Sequence, residues 1–105
     1  MSQRIPVCPA DDMKVGDIRR VELPSGAAAV YRLADGFYAT ADLCSHGDAS
    51  LADGELEDDN ILCPYHLGSF CVRTGAAVAA PCIDPIATYP LEIVDGTVTL
   101  VWTGD

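Results

Sequence analysis

Residues 44–66 read CSHGDASLADGELEDDNILCPYH, and two short motifs bracket them: Cys44-Ser45-His46 at one end and Cys63-Pro64-Tyr65-His66 at the other. Each motif offers one thiol and one imidazole, and 16 residues lie between His46 and Cys63. The chain has two histidines, and both fall inside these motifs. Thiolate and neutral imidazole are good ligands for soft and borderline metals. Two arrangements compete for the set. Tetrahedral zinc accepts two Cys and two His, although zinc-finger spacing groups Cys with Cys and His with His. The order C-x-H … C-x-x-H suits a two-iron cluster better, with both thiolates on one iron and both imidazoles on the other.

Outward from this stretch, the chain has 105 residues. That is one domain, long enough to bury about 60–70% of its unfolded surface. The start, Met1-Ser2-Gln3-Arg4-Ile5-Pro6, has no apolar signal-peptide region. No apolar run is long enough to span a bilayer, so a soluble protein without a membrane anchor is expected. Six Lys+Arg stand against sixteen Asp+Glu, a formal net charge of −10. That balance argues against nucleic acid or an anionic membrane as partner. It keeps the chain soluble and would steer it to basic patches on other proteins. Five cysteines, an odd number, do not make a secreted disulfide framework. Cys8, Cys71 and Cys82 are read as small packing residues, and a reducing cytoplasm fits this usage.

Short β-prone runs separated by turn signals fill the chain, which predicts an antiparallel sandwich or barrel. Arg4–Cys8 is a strand that Pro6 confines to an edge, and Pro9–Met13 allows one helical turn. Asp17–Leu23 and Ala27–Leu33 follow as strands, joined through Pro24-Ser25-Gly26. Ala34-Asp35-Gly36 turns the chain into Phe37–Ala41, which leads to the first motif. Residues 47–59 are acidic and turn-rich. Asn60–Cys63 is a short strand delivering the second motif, and Ser69–Arg73 is another. Ala76–Ile83 reads as irregular between prolines. Ala87–Val94, the turn Asp95-Gly96 and Thr97–Trp102 form a closing hairpin. After these assignments no histidine is left to act as a base, and there is no phosphate-binding loop or dinucleotide fingerprint. A carrier fits better than an enzyme.

The match extends beyond the four ligands. Residues 44–51 (CSHGDASL) and 63–70 (CPYHLGSF), together with Val72-Arg73-Thr74-Gly75 and Thr88-Tyr89-Pro90, resemble the soluble Rieske-type ferredoxins of bacterial aromatic-ring dioxygenase systems. The resemblance covers nearly the whole chain. It implies an all-β, Rieske-type antiparallel β-sandwich, a single domain over residues 1–105. A small cluster-binding subdomain of two loops, approximately residues 43–83, would sit at one end. One Rieske-type [2Fe-2S] cluster would be held by Cys44 and Cys63 on the inner iron and by His46 and His66 on the outer iron. Ala80-Pro81-Cys82 would cover it from a third side. Such proteins carry single electrons from a flavin-containing ferredoxin reductase to a terminal Rieske oxygenase and are not catalytic alone. A cytoplasmic monomer is expected.

Respiratory Rieske proteins add a disulfide between the two loops, and Ala49 and Tyr65 stand where those cysteines would be. They also carry a Ser two residues after the second His, where this chain has Gly68. Fewer hydrogen bonds to sulfur destabilise the reduced, more negative cluster, so a low potential is expected. Exposed imidazole ligands would make that potential fall at alkaline pH. Three other readings remain open on sequence: a Rieske-type small subunit of a larger reductase such as nitrite reductase, a structural zinc-binding module, and a ferredoxin for another oxygenase class. Tyr65, Leu67 and Pro81 serve either as loop packing or as an apolar docking rim. The acids Asp48, Asp53, Glu55, Glu57, Asp58 and Asp59 are read first as a solvated face.

Overall fold

The segment Gly26–Leu33 is almost unbroken in apolar residues, and its alternate side chains enter two different cores. Ala28 and Val30 face one buried cluster, with Cys8, Met13, Ala39, Val98 and Leu100. Ala29, Tyr31 and Leu33 face the other, with Leu51, Ile61, Cys63, Phe70, Val72 and Ile86. A strand covered on both faces loses the apolar–polar alternation of a half-exposed one. The computed structural model describes residues 3–24, 26–43, 50–64, 68–79 and 85–102.

Among the described residues there are eleven strands in three antiparallel sheets. They are β1 (Gln3–Pro9), β2 (Ile18–Leu23), β3 (Gly26–Leu33), β4 (Gly36–Ala41), β5 (Glu55–Glu57), β6 (Asn60–Leu62), β7 (Ser69–Cys71), β8 (Ala77–Ala79), β9 (Thr88–Tyr89), β10 (Leu91–Val94) and β11 (Thr97–Trp102). The strand orders are β1-β11-β10, β2-β3-β4-β9 and β5-β6-β7-β8. The sheet containing β3 is the middle layer, with the terminal strands packed on one face and the β5–β8 sheet on the other. This is the all-β antiparallel sandwich expected; the third sheet carries the root of the second motif segment, and the end of β4 on the middle sheet leads to the first. No helix among the described residues is long and apolar enough to cross a membrane.

Local chemistry explains most element boundaries. β1 lies at a sheet edge and its register shifts between Pro6 and Cys8, as a strand lacking one N–H requires. The β10–β11 turn places Asp95 at φ 51° and Gly96 at φ 79°, the two left-handed residues of a type I′ hairpin. Tyr31 is fully buried, and its hydroxyl lies 2.8 Å from Thr40 Oγ1. Because Thr40 Oγ1 donates onward to the Ala41 carbonyl, the Tyr31 hydroxyl is the donor in that pair. Burial holds the Tyr31 phenol well above its ordinary pKa.

Three segments differ from the sequence reading. The acidic stretch before Asn60 contains a 3-10 turn at Leu51–Asp53 and the strand β5, which pairs with β6 through Glu55↔Leu62, Leu56↔Ile61 and Glu57↔Asn60. Asp58 supplies the left-handed residue of that hairpin at φ 55°, a conformation Asp tolerates better than most residues. The stretch after Gly75 contains β8, paired antiparallel with β7. The run Ala87–Val94 is two strands: Pro90 separates β9, on the middle sheet, from β10, on the terminal sheet. A proline cannot continue a ladder, so the chain changes sheets there.

Candidate metal centre

The second motif grows out of the β6–β7 hairpin. Ile61 pairs with Phe70 and Leu62 with Ser69. Beyond them, the Cys63 N–H donates to the Gly68 carbonyl at 2.8 Å, so backbone closes the segment between. Ile61 and Phe70 are fully buried, and Cys63 is 1% exposed. Gly54 lies against this root: a Cβ there would overlap the Leu62 carbonyl oxygen. Glycine is required here by close backbone approach, since its backbone is extended.

The first motif is rooted differently. Leu43 and Ser50 form an isolated antiparallel bridge across residues 44–49. Just before it, Asp42 is 4% exposed. Its carboxylate accepts from Ser50 Oγ at 2.6 Å and from the Ala52 N–H at 2.9 Å. Its backbone carbonyl accepts from the Leu51 N–H at 2.7 Å. Arg20, reaching over from β2, brings Nε to 3.6 Å of the same carboxylate. Leu51, fully buried, belongs to the same core as Cys63, so the two roots converge on one apolar floor.

An opening of about 280 Å³ lies against Cys63, lined by Asp53, Gly54, Glu55, Leu62, Cys63 and Pro64. Two carboxylates therefore stand at the rim beside a buried sulfur. Across the sheet, Arg73 ties the β5–β6 turn to the middle layer. Its guanidinium donates to Asp35 at 2.9 and 3.1 Å, to the Tyr38 hydroxyl at 2.7 Å and to Asp59 at 3.3 Å. It also lies 4.8 Å from the Tyr38 ring centroid. Hydrogen bonding to Arg73 holds the Asp35 carboxyl below its ordinary pKa, and the two acids raise that of Arg73.

Of the sequence-named ligands, Cys63 is described, directly after β6, while Cys44, His46 and His66 lie outside the described residues. Tyr65, Leu67, Pro81, Cys82, Asp48 and Ala49 lie outside them as well. Cys8 is buried in the core shared by the terminal and middle sheets, as a packing residue should be. Cys71 is half-buried on β7. Burial would raise its thiol pKa, but hydrogen bonds with Thr74 and the Arg73 backbone outweigh it and bring the value down. Sequence reasoning missed Asp42, Ser50, Gly54 and the Arg73–Asp35–Asp59 group. Only Gly54, a glycine between an apolar turn and a short strand, carried any local signal.

The family model for the Rieske [2Fe-2S] domain matches residues 3–90, and the chain belongs to that family. Within it, the similarity is to ferredoxins. The chain is 48% identical over 93 residues to ferredoxin CarAc of Metapseudomonas resinovorans, covering 88% of this chain and 87% of the relative. It is 42% identical over 100 residues to the ferredoxin component of the p-cumate 2,3-dioxygenase system of Pseudomonas putida, covering 93% and 85%. Among solved structures, a chain from the complex of reduced oxygenase and oxidised ferredoxin in carbazole 1,9a-dioxygenase superposes with a TM-score of 0.89 at 45% identity, covering 92% of this chain and 91% of that one.

The residues fit the Rieske group. A buried cysteine lines an opening beside the second root and shares its apolar core with Leu51, next to the first root. The thiol–imidazole character of the two motifs suits iron and sulfide rather than a hard cation. This chain is thus a Rieske-type [2Fe-2S] ferredoxin, homologous to the ferredoxin components of aromatic-ring dioxygenases. The zinc module and the nitrite reductase subunit are set aside accordingly.

Proposed function

We propose that the protein carries single electrons from a flavin-containing ferredoxin reductase to the terminal Rieske oxygenase of an aromatic-ring dioxygenase system in the bacterial cytoplasm. The observation that carries this reading is the convergence of both motif roots on one core around Cys63, in a chain whose relatives are dioxygenase ferredoxins. Approximately residues 43–83 form the cluster-binding part of a single domain over residues 1–105. Cys44 and Cys63 would hold one iron, His46 and His66 the other. When bound, the cluster supplies a one-electron couple and offers no open position for substrate.

The chain's own residues do the rest. The β6–β7 ladder fixes Cys63 against the core, and burial keeps water from its sulfur. Gly68 brings no hydroxyl to the site, so one hydrogen bond available to respiratory relatives is missing. The potential therefore belongs toward the lower end of the Rieske range, roughly −150 to +300 mV. That value lets a flavin reduce the protein and lets another Rieske centre oxidise it. The exposed acids, Asp53 and Glu55 among them, favour encounter with basic partner surfaces. The protein is an electron-transfer component and no enzyme by itself.

Reduced protein mixed without oxygen with an oxidised terminal Rieske oxygenase should be reoxidised rapidly in a stopped-flow trace. Encounter should slow as salt rises. A strongly positive midpoint potential, with no transfer to any aromatic-ring oxygenase, would contradict the proposal.

A further inference from the structure

Asp42 is the one acid among the described residues whose residue is buried, and the fold spends it at the root of the first motif. Three bonds join it to the far side of that root: carboxylate to Ser50 Oγ, carboxylate to Ala52 N–H, and backbone carbonyl to Leu51 N–H. Its own N–H donates to the Ala27 carbonyl on β3 at 3.1 Å, which pins the same residue to the central sheet. The chain therefore leaves at Leu43 and returns at Ser50 across a gap held by a backbone bridge and by this one carboxylate. At the second root, among the described residues, a backbone ladder holds the gap instead.

We infer that Asp42 is a positioning residue for the cluster: its carboxylate fixes the two ends of the segment bearing Cys44 and His46, and its buried charge, offset in part by Arg20, helps to set the reduction potential. The inference rests on Cys44 and His46 being ligands. Burying a carboxylate is costly unless hydrogen bonds and a counter-charge compensate it. Here both are present, with Arg20 half-exposed on the solvent side. An apolar residue could fill the same space without that cost, but it could not accept from Ser50 and Ala52 at once. A negative charge fixed near a redox centre disfavours the added electron, and net charge is one of the determinants of iron–sulfur potentials.

The two roles separate by substitution. Asp42→Asn keeps an acceptor for the Ala52 N–H and a partner for Ser50 but removes the charge. Asp42→Ala removes both. Arg20→Gln removes the counter-charge at a half-exposed position and leaves the root intact. Iron release to a chelator and midpoint potential are measured on each cluster-loaded protein. Asp42→Ala should release iron several-fold faster than wild type. Asp42→Asn should release it near the wild-type rate while its potential moves upward, and Arg20→Gln should move the potential downward. If Asp42→Ala fails to fold, the other two variants decide. Wild-type release from Asp42→Ala, release from Asp42→Asn as fast as from an alanine variant, or unmoved potentials in Asp42→Asn and Arg20→Gln would each overturn the inference. Cys44→Ala is the control: a Rieske spectrum that persists there overturns the ligand reading itself, independently of Asp42.

Discussion

The two roots of the metal centre solve one problem with different chemistry. The second motif leaves a regular hairpin, and the Cys63 N–H bond to Gly68 merely extends the β6–β7 ladder. The first motif leaves the end of β4, where among the described residues a single backbone bridge, Leu43–Ser50, spans the gap, and a buried side chain adds to it. Backbone bonds depend little on residue identity, whereas a carboxylate staple depends on one residue entirely. The second root should accordingly be sensitive to steric crowding and the first to loss of a polar group.

The largest effect tests whether both roots serve one cluster. Replacing His46 or His66 by Ala or Cys, or Cys44 or Cys63 by Ala, should abolish the Rieske electron paramagnetic resonance signal. Loss on one side only would break the comparison by confining the metal to a single motif. Next comes crowding at the second root. Gly54→Ala drives a methyl into the Leu62 carbonyl, and overpacking of this kind costs about 1–3 kcal/mol in chemical denaturation. An unchanged denaturation midpoint would mean that this root gives way easily.

A smaller loss is expected at the first root from Ser50→Ala. It deletes a 2.6 Å bond to the Asp42 carboxylate, and a typical hydrogen bond contributes about 0.5–1.5 kcal/mol net. The carboxylate keeps the Ala52 N–H and Arg20, so the variant should fold and be measurable by urea titration. The smallest effect lies away from both roots. Arg73→Gln should lower the melting temperature modestly at neutral pH, since the group it breaks is solvent-accessible. Because Asp35 has its folded pKa lowered by Arg73, that stabilisation is present above the unfolded carboxyl value and is lost as pH falls through the lower folded one. The melting curves of wild type and variant should therefore converge below about pH 4. A gap that persists in acid would assign the loss to the contact of Arg73 with the Tyr38 ring instead.

Legibility in the sequence followed the same division. The hairpins β3–β4 and β10–β11 were readable because apolar runs and turn residues agreed there. Cys63 was readable as a motif and also as the end of a strand. The strand β5 was not: Glu55 and Glu57 flank a single apolar residue, and at a sheet edge such a strand reads as a polar loop. β8 is as short, with three residues. The division of Ala87–Val94 depends on which sheet each half joins, and that is a tertiary fact marked only by Pro90. Asp42 was invisible for another reason. It is one of sixteen acids in a chain of net charge −10, and local pattern does not tell a buried carboxylate from a solvated one. Its role follows from Ser50 and Ala52, eight and ten residues away, folding back onto it.

The central claim is that both motifs serve one two-iron cluster. An electron paramagnetic resonance spectrum of the purified protein, before and after dithionite, tests it most directly. An anisotropic signal that appears only on reduction, with an average g below that of all-thiolate ferredoxins, is the expected result. A colourless protein, silent in both states and holding zinc after anaerobic purification, would contradict it.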